Sequence, residues 1–470
     1  MTNQLTNPQL KSSHIEALKH QLAGVIIQPE DEAYEEARKL YNGMIDKRPR
    51  LIVKCAEEAD VKAAIQFARK HQMEVAIRSG GHNGAGLGSC DDGLLIDFSL
   101  MKAIHIDPEQ KTARIEAGCT LGDIDKAMHS YGLAIPSGII STTGIGGITL
   151  GGGIGYLTRK CGLTIDNLLE AQMVLADGSS VTANKDSHPD LFWAIRGGGG
   201  NFGVVTSFVF QLHEIKEVYA GPMFWPLEKS REVMEFYRDF TVKASNDLYG
   251  FFAFLVVPPT APFPEELQGQ NVCGIVWNYT GPAEKAEEVF KPIREFGPPV
   301  LDFVGWLPLP ALQSMFDIFY PPGHQWYWRA DFFEELTDEA ITAFIKYGAQ
   351  IPTGQSTMHL YPVDGKAHEV KSDETAWNYR HARWAEVIVG VDPDPAHKEK
   401  ITAWCKNYYH ATHPYSAGGA YINFMMEEGQ DRIKATYGSN YDRLTEVKAK
   451  YDPDNFFHVN QNIQPKAALA

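Results

Sequence analysis

The chain reads as an α+β protein in which two domains of different texture follow each other. Three observations carry that reading. Residues 51–82 run strand, helix, strand, the pattern of a βαβ unit. From there to about residue 215 the chain is dense in glycine and short apolar runs. Beyond that point Pro-rich loops alternate with helical and strand-like segments, so a second domain begins there. At 470 residues the chain has room for two or three domains.

Taken in order, "LIVKC" predicts a strand, "EEADVKAAIQFARKHQ" a helix and "EVAIRSG" a second strand. Glu57, Glu58 and Asp60 open that helix, with Lys70 and His71 closing it, the polarity its dipole favours. "GLLIDFS" and "TARIEAG" predict further short strands. In "LGDIDKAMHSYG", Leu121, Ile124 and Met128 share one helical face and Gly132 marks the stop. "LLEAQMVLADGSSVTA" predicts a hairpin about Asp177-Gly178. Past residue 215, "LTDEAITAFIKYGAQ" predicts a helix and "RWAEVIVGV" a strand. "YDRLTEVKAKYDPDNFFHVNQNI" predicts a helix, an Asp-Pro turn and an Asn/Gln-rich tail that returns to the first domain.

Composition narrows the function classes. Hydrophobic residues make up 44% and charged ones 22%, ordinary for a globular protein with large cores. A net charge of −16 repels a phosphate backbone or an anionic membrane, so neither nucleic acid nor a membrane is an expected partner. The 20 Tyr, 24 Phe and 9 Trp suit a pocket for a flat or sugar-like ligand. The first 24 residues lack the apolar core of a signal peptide, and no run approaches the ~20 apolar residues of a membrane span. A cytoplasmic protein, monomer or homodimer, is expected. Six cysteines without CxxC spacing fit free thiols in a reducing compartment.

Several motifs are weighed and set aside. The strict GxGxxG match, Gly198 to Gly203, leads into the strand-like "VVTSFVF", so the helix dipole that a Rossmann site needs is missing. No Walker loop occurs. His410 and His413 have the spacing of a ligand pair but no acidic or cysteine partner, so no metal is expected. "NYT" at Asn278 is a chance sequon in a chain without an export signal. Two glycine clusters remain, "RSGGHNGAG" and "TTGIGGITLGGGIG". Many glycines serve only tight turns, yet consecutive backbone amides in such loops also form anion-binding concavities. Two loops of this kind predict a nucleotide cofactor held by amides, without lysine.

"RSGGHN", "TTGIGGITLGGGIGYLTRKCGLTIDN", "ADGSSVTA", "HPDLFWAIRGGGGNFGVV" and "YDPDNFFHVNQNI" follow one another from Arg78 to Ile463. In that order they resemble the berberine-bridge-enzyme-like flavoproteins of the vanillyl-alcohol-oxidase (PCMH-type) FAD superfamily, in a bacterial-type version. The resemblance implies a PCMH-type, two-subdomain FAD-binding domain over 1–215 and a substrate domain over 216–420, an antiparallel sheet covered by helices. The segment 421–470 would return to the FAD domain.

It also implies roles. His82 stands where the family joins a histidine covalently to the flavin 8α-methyl, and Arg78, Ser79, Gly80, Gly81, Asn83 and Gly86 would present the loop to the pyrophosphate. Thr142, Thr143, Gly146, Gly147, Gly152, Gly203 and Val204 complete the expected cofactor contacts, with Asn460 and Asn462, beside Gln461, reaching the ribityl or ring oxygens. Doubly linked relatives add a cysteine bond, but that position is Ile140 here. Cys161 stands where relatives carry tyrosine and reads as a packed thiol, so a single linkage through His82 is expected. Thr143 falls on the position that governs oxygen access, where its valine-like size predicts an oxidase. "GGAYINF" resembles the family's "YxNY" segment, which makes Tyr421 the candidate base. A core tyrosine with a satisfied hydroxyl remains the alternative. Ile154 replaces a tyrosine of some relatives. Period-2 alternation puts Trp384, Glu386 and Ile388 on one strand face, and Glu386 is a second candidate base if that face lines the pocket. His359 is a third.

The implied reaction is a two-electron oxidation of an alcohol, sugar or secondary metabolite. A base takes the O–H or N–H proton, hydride passes to flavin N5, and O2 regenerates the flavin with release of H2O2. A flavin dehydrogenase with another acceptor, and a flavoprotein kept for a structural or coat role, are the competing expectations.

Overall fold

The strand–helix–strand pattern of residues 51–82 forms, with one later strand inserted into it. A computed structural model describes residues 10–467. Leu51–Lys54 and Val75–Arg78, joined by the helix Glu58–Lys70, both pair in parallel with Leu94–Asp97, which lies between them. Val25–Ile27 adds an antiparallel edge. Asp60, expected only to favour the helix dipole, is fully buried and accepts the amides of Ala23, Gly24 and Ala56. It thereby ties the N-terminal segment to the helix start.

A second, antiparallel sheet runs in the order Ile104–Asp107, Thr112–Glu116, Val204–Gln211, Leu168–Val174, Ser180–Asn184. Its last pair is the predicted hairpin, closed by Asp177 accepting the Ser179 amide. The helix Leu121–His129 opens on a Thr120–Asp123 capping box and buries Leu121, Ile124 and Met128.

An eight-stranded antiparallel sheet takes over from Glu217. Its central order is Glu217–Pro226, Asn271–Tyr279, Leu248–Val256, Thr357–Pro362, Trp384–Asp392, Gln325–Phe333. Alternation divides the sheet between two cores. Phe252, Phe254, Met358, Leu360 and Ile388 pack under the helices Ser230–Thr241, Ala286–Phe296, Asp338–Gly348 and Lys398–Thr412. Phe251, Ala253, Tyr361, Val387 and Val389 face the other way, towards Tyr156, Leu157 and Leu163 of the glycine-rich segment.

The C-terminal helix Tyr441–Tyr451 is anchored by a buried ion pair, with Lys448 Nζ 2.7 Å from Asp452. The same ammonium donates to the carbonyls of Asn201 and Phe457. Asn201 in turn accepts the Ile463 amide and donates to the Gln461 carbonyl. The tail thus lies on the "GGGGNFG" turn of the first half of the chain.

Candidate functional site

The two glycine clusters meet backbone to backbone. A Cβ on Gly144 would stand 2.1 Å from the Gly80 nitrogen, and one on Gly80 would stand 2.3 Å from the Gly144 nitrogen. Only glycine at both positions lets the loops cross. Ser79 completes the junction by donating to the Ala117 carbonyl at 2.5 Å and accepting the Gly146 amide at 3.3 Å. The second cluster is more than turns, since Ile145–Gly151 is helical, a departure from its glycine content.

Beside this crossing opens a cavity of about 890 Å³, at the upper end of the ~300–1,000 Å³ usual for ligand pockets. It runs from the 78–83 loop to the sheet face that carries Phe251, Tyr361 and Val387. Arg78, Ser79, Gly80, Gly81, His82 and Asn83 all line it, as do Thr143, Gly146, Gly147, Gly203, Val204 and Asn460. The amides of Gly80, Gly81, His82 and Asn83 donate to no acceptor among the described residues. These residues are half-buried and their partnerless amides border the cavity, so this wall fits an anion. Arg78 does not supply the charge: its guanidinium binds Asp97 at 2.6 Å and the carbonyls of Lys39 and Ala37.

His82 is clamped at the cavity wall. Its ring stacks on Tyr41 with centroids 3.9 Å apart, and Nε2 lies 3.0 Å from the Thr142 hydroxyl. Burial pushes the imidazole down to about 4, against a hydrogen bond at Thr142, so it is neutral at physiological pH. Thr142 itself is exposed and reaches the site only through that contact. Tyr41 donates to the Tyr320 carbonyl at 2.5 Å, which holds the stack in place.

Tyr421 is buried at the cavity wall, with two N–H groups converging on its oxygen. The Gly153 amide donates at 2.9 Å and the Asn423 side chain at 2.7 Å. Burial pushes the phenol up to about 12, while these two donors pull the other way. His359 also lines the cavity, its Nδ1 2.5 Å from the Tyr361 hydroxyl, and burial pushes it down to about 3.

Glu386 corrects an expectation. It shares a face with Trp384 and Ile388 as the alternation requires, but that face packs on the helices and not on the cavity. Its carboxyl is fully buried beside Thr412 and across from Asp331, and burial holds it well above the usual carboxylate range. Gly86, Gly152 and Asn462 also stand behind the wall rather than in it. Gly86 packs on Ile45, Gly152 packs on Trp377, and the Asn462 carbonyl accepts Gln430.

Sequence reasoning missed Tyr41, Asn423 and Tyr361. Tyr41 precedes its partner by too many residues for local patterning to find it, whereas Asn423 lies two residues from Tyr421 and was within reach. Of the motifs set aside, His413 pairs with Asp331 at 2.9 Å, and no cluster of metal-ligating side chains exists among the described residues. Asn278 is buried and donates to the Tyr156 carbonyl, which removes it as a glycosylation acceptor. All six cysteines are free and buried; burial pushes Cys161 up to about 12, an inert thiol. Ile140 lines the cavity. Among the described residues no helix is long and apolar enough to cross a membrane.

Known proteins share this arrangement. Residues 49–184 match the family model of the FAD binding domain, and residues 420–464 match that of berberine and berberine-like proteins. An FAD-linked oxidoreductase of Dictyostelium discoideum is 34% identical over 448 residues, covering 94% of this chain and 95% of that one. The (R)-6-hydroxynicotine oxidase of Paenarthrobacter nicotinovorans is 29% identical, covering 95% of this chain and 98% of its own. The crystal structure of 6-hydroxy-D-nicotine oxidase from Arthrobacter nicotinovorans superposes with a TM-score of 0.84 at 25% identity, over 95% of this chain and 98% of that one.

Proposed function

The chain belongs to the FAD-linked oxidoreductases with a berberine-like C-terminal segment, and from that we propose a specific activity: it is an oxidase that carries FAD on His82, oxidises an alcohol, sugar or secondary metabolite, and passes the electrons to O2 to give H2O2. FAD fits the cavity. The free amides of residues 80–83 match a pyrophosphate, and a cavity of about 890 Å³ lined from that loop to the sheet face has room for a dinucleotide. We assign the cofactor to 1–215 and 421–470, and the substrate to 216–420. When bound, the flavin supplies the two-electron oxidation.

The observation that carries this reading is the fixed, neutral imidazole at the wall. Nε2 is taken up by the Thr142 hydroxyl, so Nδ1 is the ring nitrogen left for a covalent bond. No thiol replaces Ile140, so the linkage is single. Tyr421 acts on the substrate proton, its oxygen charge stabilised by Gly153 and Asn423. Thr143, at the cavity wall, is small enough to leave oxygen a path.

Acid precipitation tests the attachment. The wild-type and Cys161→Ala pellets are expected to be yellow and the His82→Ala pellet colourless; a yellow His82→Ala pellet overturns the assignment. Anaerobic photoreduction followed by air tests the oxidase, for which reoxidation within seconds is expected. Reoxidation over many minutes makes the protein a dehydrogenase instead.

A further inference from the structure

His82 stands in the least constrained kind of backbone. Gly80, Gly81, Gly84 and Gly86 surround it, and Gly81 and Gly86 adopt φ of +71° and +74°. A ring nitrogen forms a bond only when it is held at bonding distance and angle, so something outside this loop has to aim the imidazole. Resting on the His82 linkage above, we propose that Tyr41 and Thr142 are the positioning residues for attachment: the Tyr41 ring fixes the imidazole plane, and the Thr142 hydroxyl fixes which nitrogen is left free.

Tyr41 belongs to a short splint, residues 41–43, that grips the loop on both sides of the histidine. The Tyr41 amide donates to the Gly81 carbonyl at 3.1 Å, and the buried Asn42 side chain donates to the Gly84 carbonyl at 2.7 Å. The splint is in turn stitched to the substrate sheet. Tyr41 accepts the Gly323 amide and Gly43 donates to the His324 carbonyl, while Asn42 both donates to and accepts from the Trp326 backbone. The Tyr41 hydroxyl ends on the Tyr320 carbonyl, and the Trp326 ring lies against its own at 5.0 Å. A ring held at so many points is a fixed surface.

Against that surface the imidazole lies 3.9 Å away, with only 19° between the planes. A stack sets the plane but leaves the ring free to flip within it, which would exchange the two nitrogens. The Thr142 hydroxyl, 3.0 Å from Nε2, removes that freedom. Neither side chain supplies the backbone amides of residues 80–83 that fit the pyrophosphate, so binding and attachment are separable.

In the attachment, the imidazole gives up its N–H proton and the flavin 8α-methyl carbon gives up one C–H proton. A single bond forms between that carbon and the His82 nitrogen. The two electrons released pass through the ring system to O2, which takes both protons and leaves as H2O2.

The test uses the full chain, made in riboflavin-starved cells and mixed with excess FAD in air. Gel-filtered flavin reads binding, and acid-stable flavin followed over time reads attachment. Tyr41→Leu is expected to bind FAD yet attach it about 10²-fold more slowly than the wild type. Tyr41→Phe keeps the ring and should attach it within ~3-fold of the wild-type rate. Thr142→Val, at an exposed position, should be slowed by ~3–10-fold through loss of one hydrogen bond. Wild-type rates in Tyr41→Leu overturn the proposal, and so does a Tyr41→Phe protein as slow as Tyr41→Leu. If Tyr41→Leu binds no flavin, Thr142→Val decides: slowed attachment upholds the proposal and an unchanged rate overturns it. Flavin that stays acid-soluble in the wild type overturns the linkage itself, and this inference with it.

Discussion

Tyr421 carries the clearest pH signature at the scale of single residues. Its phenol lies at about 12, so the phenolate that accepts a proton grows as pH rises. kcat/KM is expected to climb between pH 7 and 10 without reaching a plateau. Tyr421→Phe should lower it by about 10²–10⁴-fold and flatten the profile; an unchanged slope removes Tyr421 as the base. Asn423→Ala removes one of the two donors to the phenol oxygen and should move the rising limb to still higher pH. Glu386 makes the contrasting case. Burial first, and Asp331 second, hold its carboxyl well above the usual range, so the folded state keeps a proton that the unfolded chain loses above ~4.3. The folded state then binds more protons, and stability falls as pH rises, by at most ~1.4 kcal/mol per pH unit. Glu386→Gln abolishes that titration. Its melting temperature should decline less than the wild type's between pH 5 and 9, with kcat/KM unchanged; a large loss of turnover would return Glu386 to the site.

Two contacts between elements decide whether the cavity exists. The crossing at Gly80 and Gly144 leaves no room for a methyl group on either side, since the atoms in the way are backbone. Gly144→Ala should cost about 1–3 kcal/mol and cut flavin content, measured as the flavin-to-protein absorbance ratio of purified protein. Full flavin content in that variant would mean the loops can separate without consequence. The second contact is the buried Lys448–Asp452 pair under the C-terminal helix. Asp452→Ala strands a buried ammonium and also removes the acceptor of the Phe456 and Phe457 amides. A loss of about 3–5 kcal/mol is expected in chemical denaturation.

Across the whole molecule, the tail makes the N-terminal half and the C-terminus interdependent. Removing residues 459–470 takes away Asn460 and Gln461 from the cavity wall and Ile463 from Asn201. The truncated protein should purify with little flavin; normal flavin content would make the tail dispensable. Much of this was legible in the chain. The strand–helix–strand unit, the Asp177-Gly178 hairpin and the 121–129 helix follow from periodicity, capping and turn chemistry, which are local. His82 stood out because a histidine inside a glycine loop is unusual, and its cavity position needed only the loop to follow a strand. Other features depended on distant packing. Alternation placed Glu386, Trp384 and Ile388 together but was silent on which side the helices cover, and the helices took that side. The Tyr41 stack, the Gly80–Gly144 crossing and the spent charge of Arg78 join segments far apart in the chain. Local chemistry therefore set what each segment becomes and which residues can do chemistry. The packing of distant segments set which of those residues share a cavity, because a side chain's neighbours across a sheet or a loop crossing are absent from its own stretch of sequence.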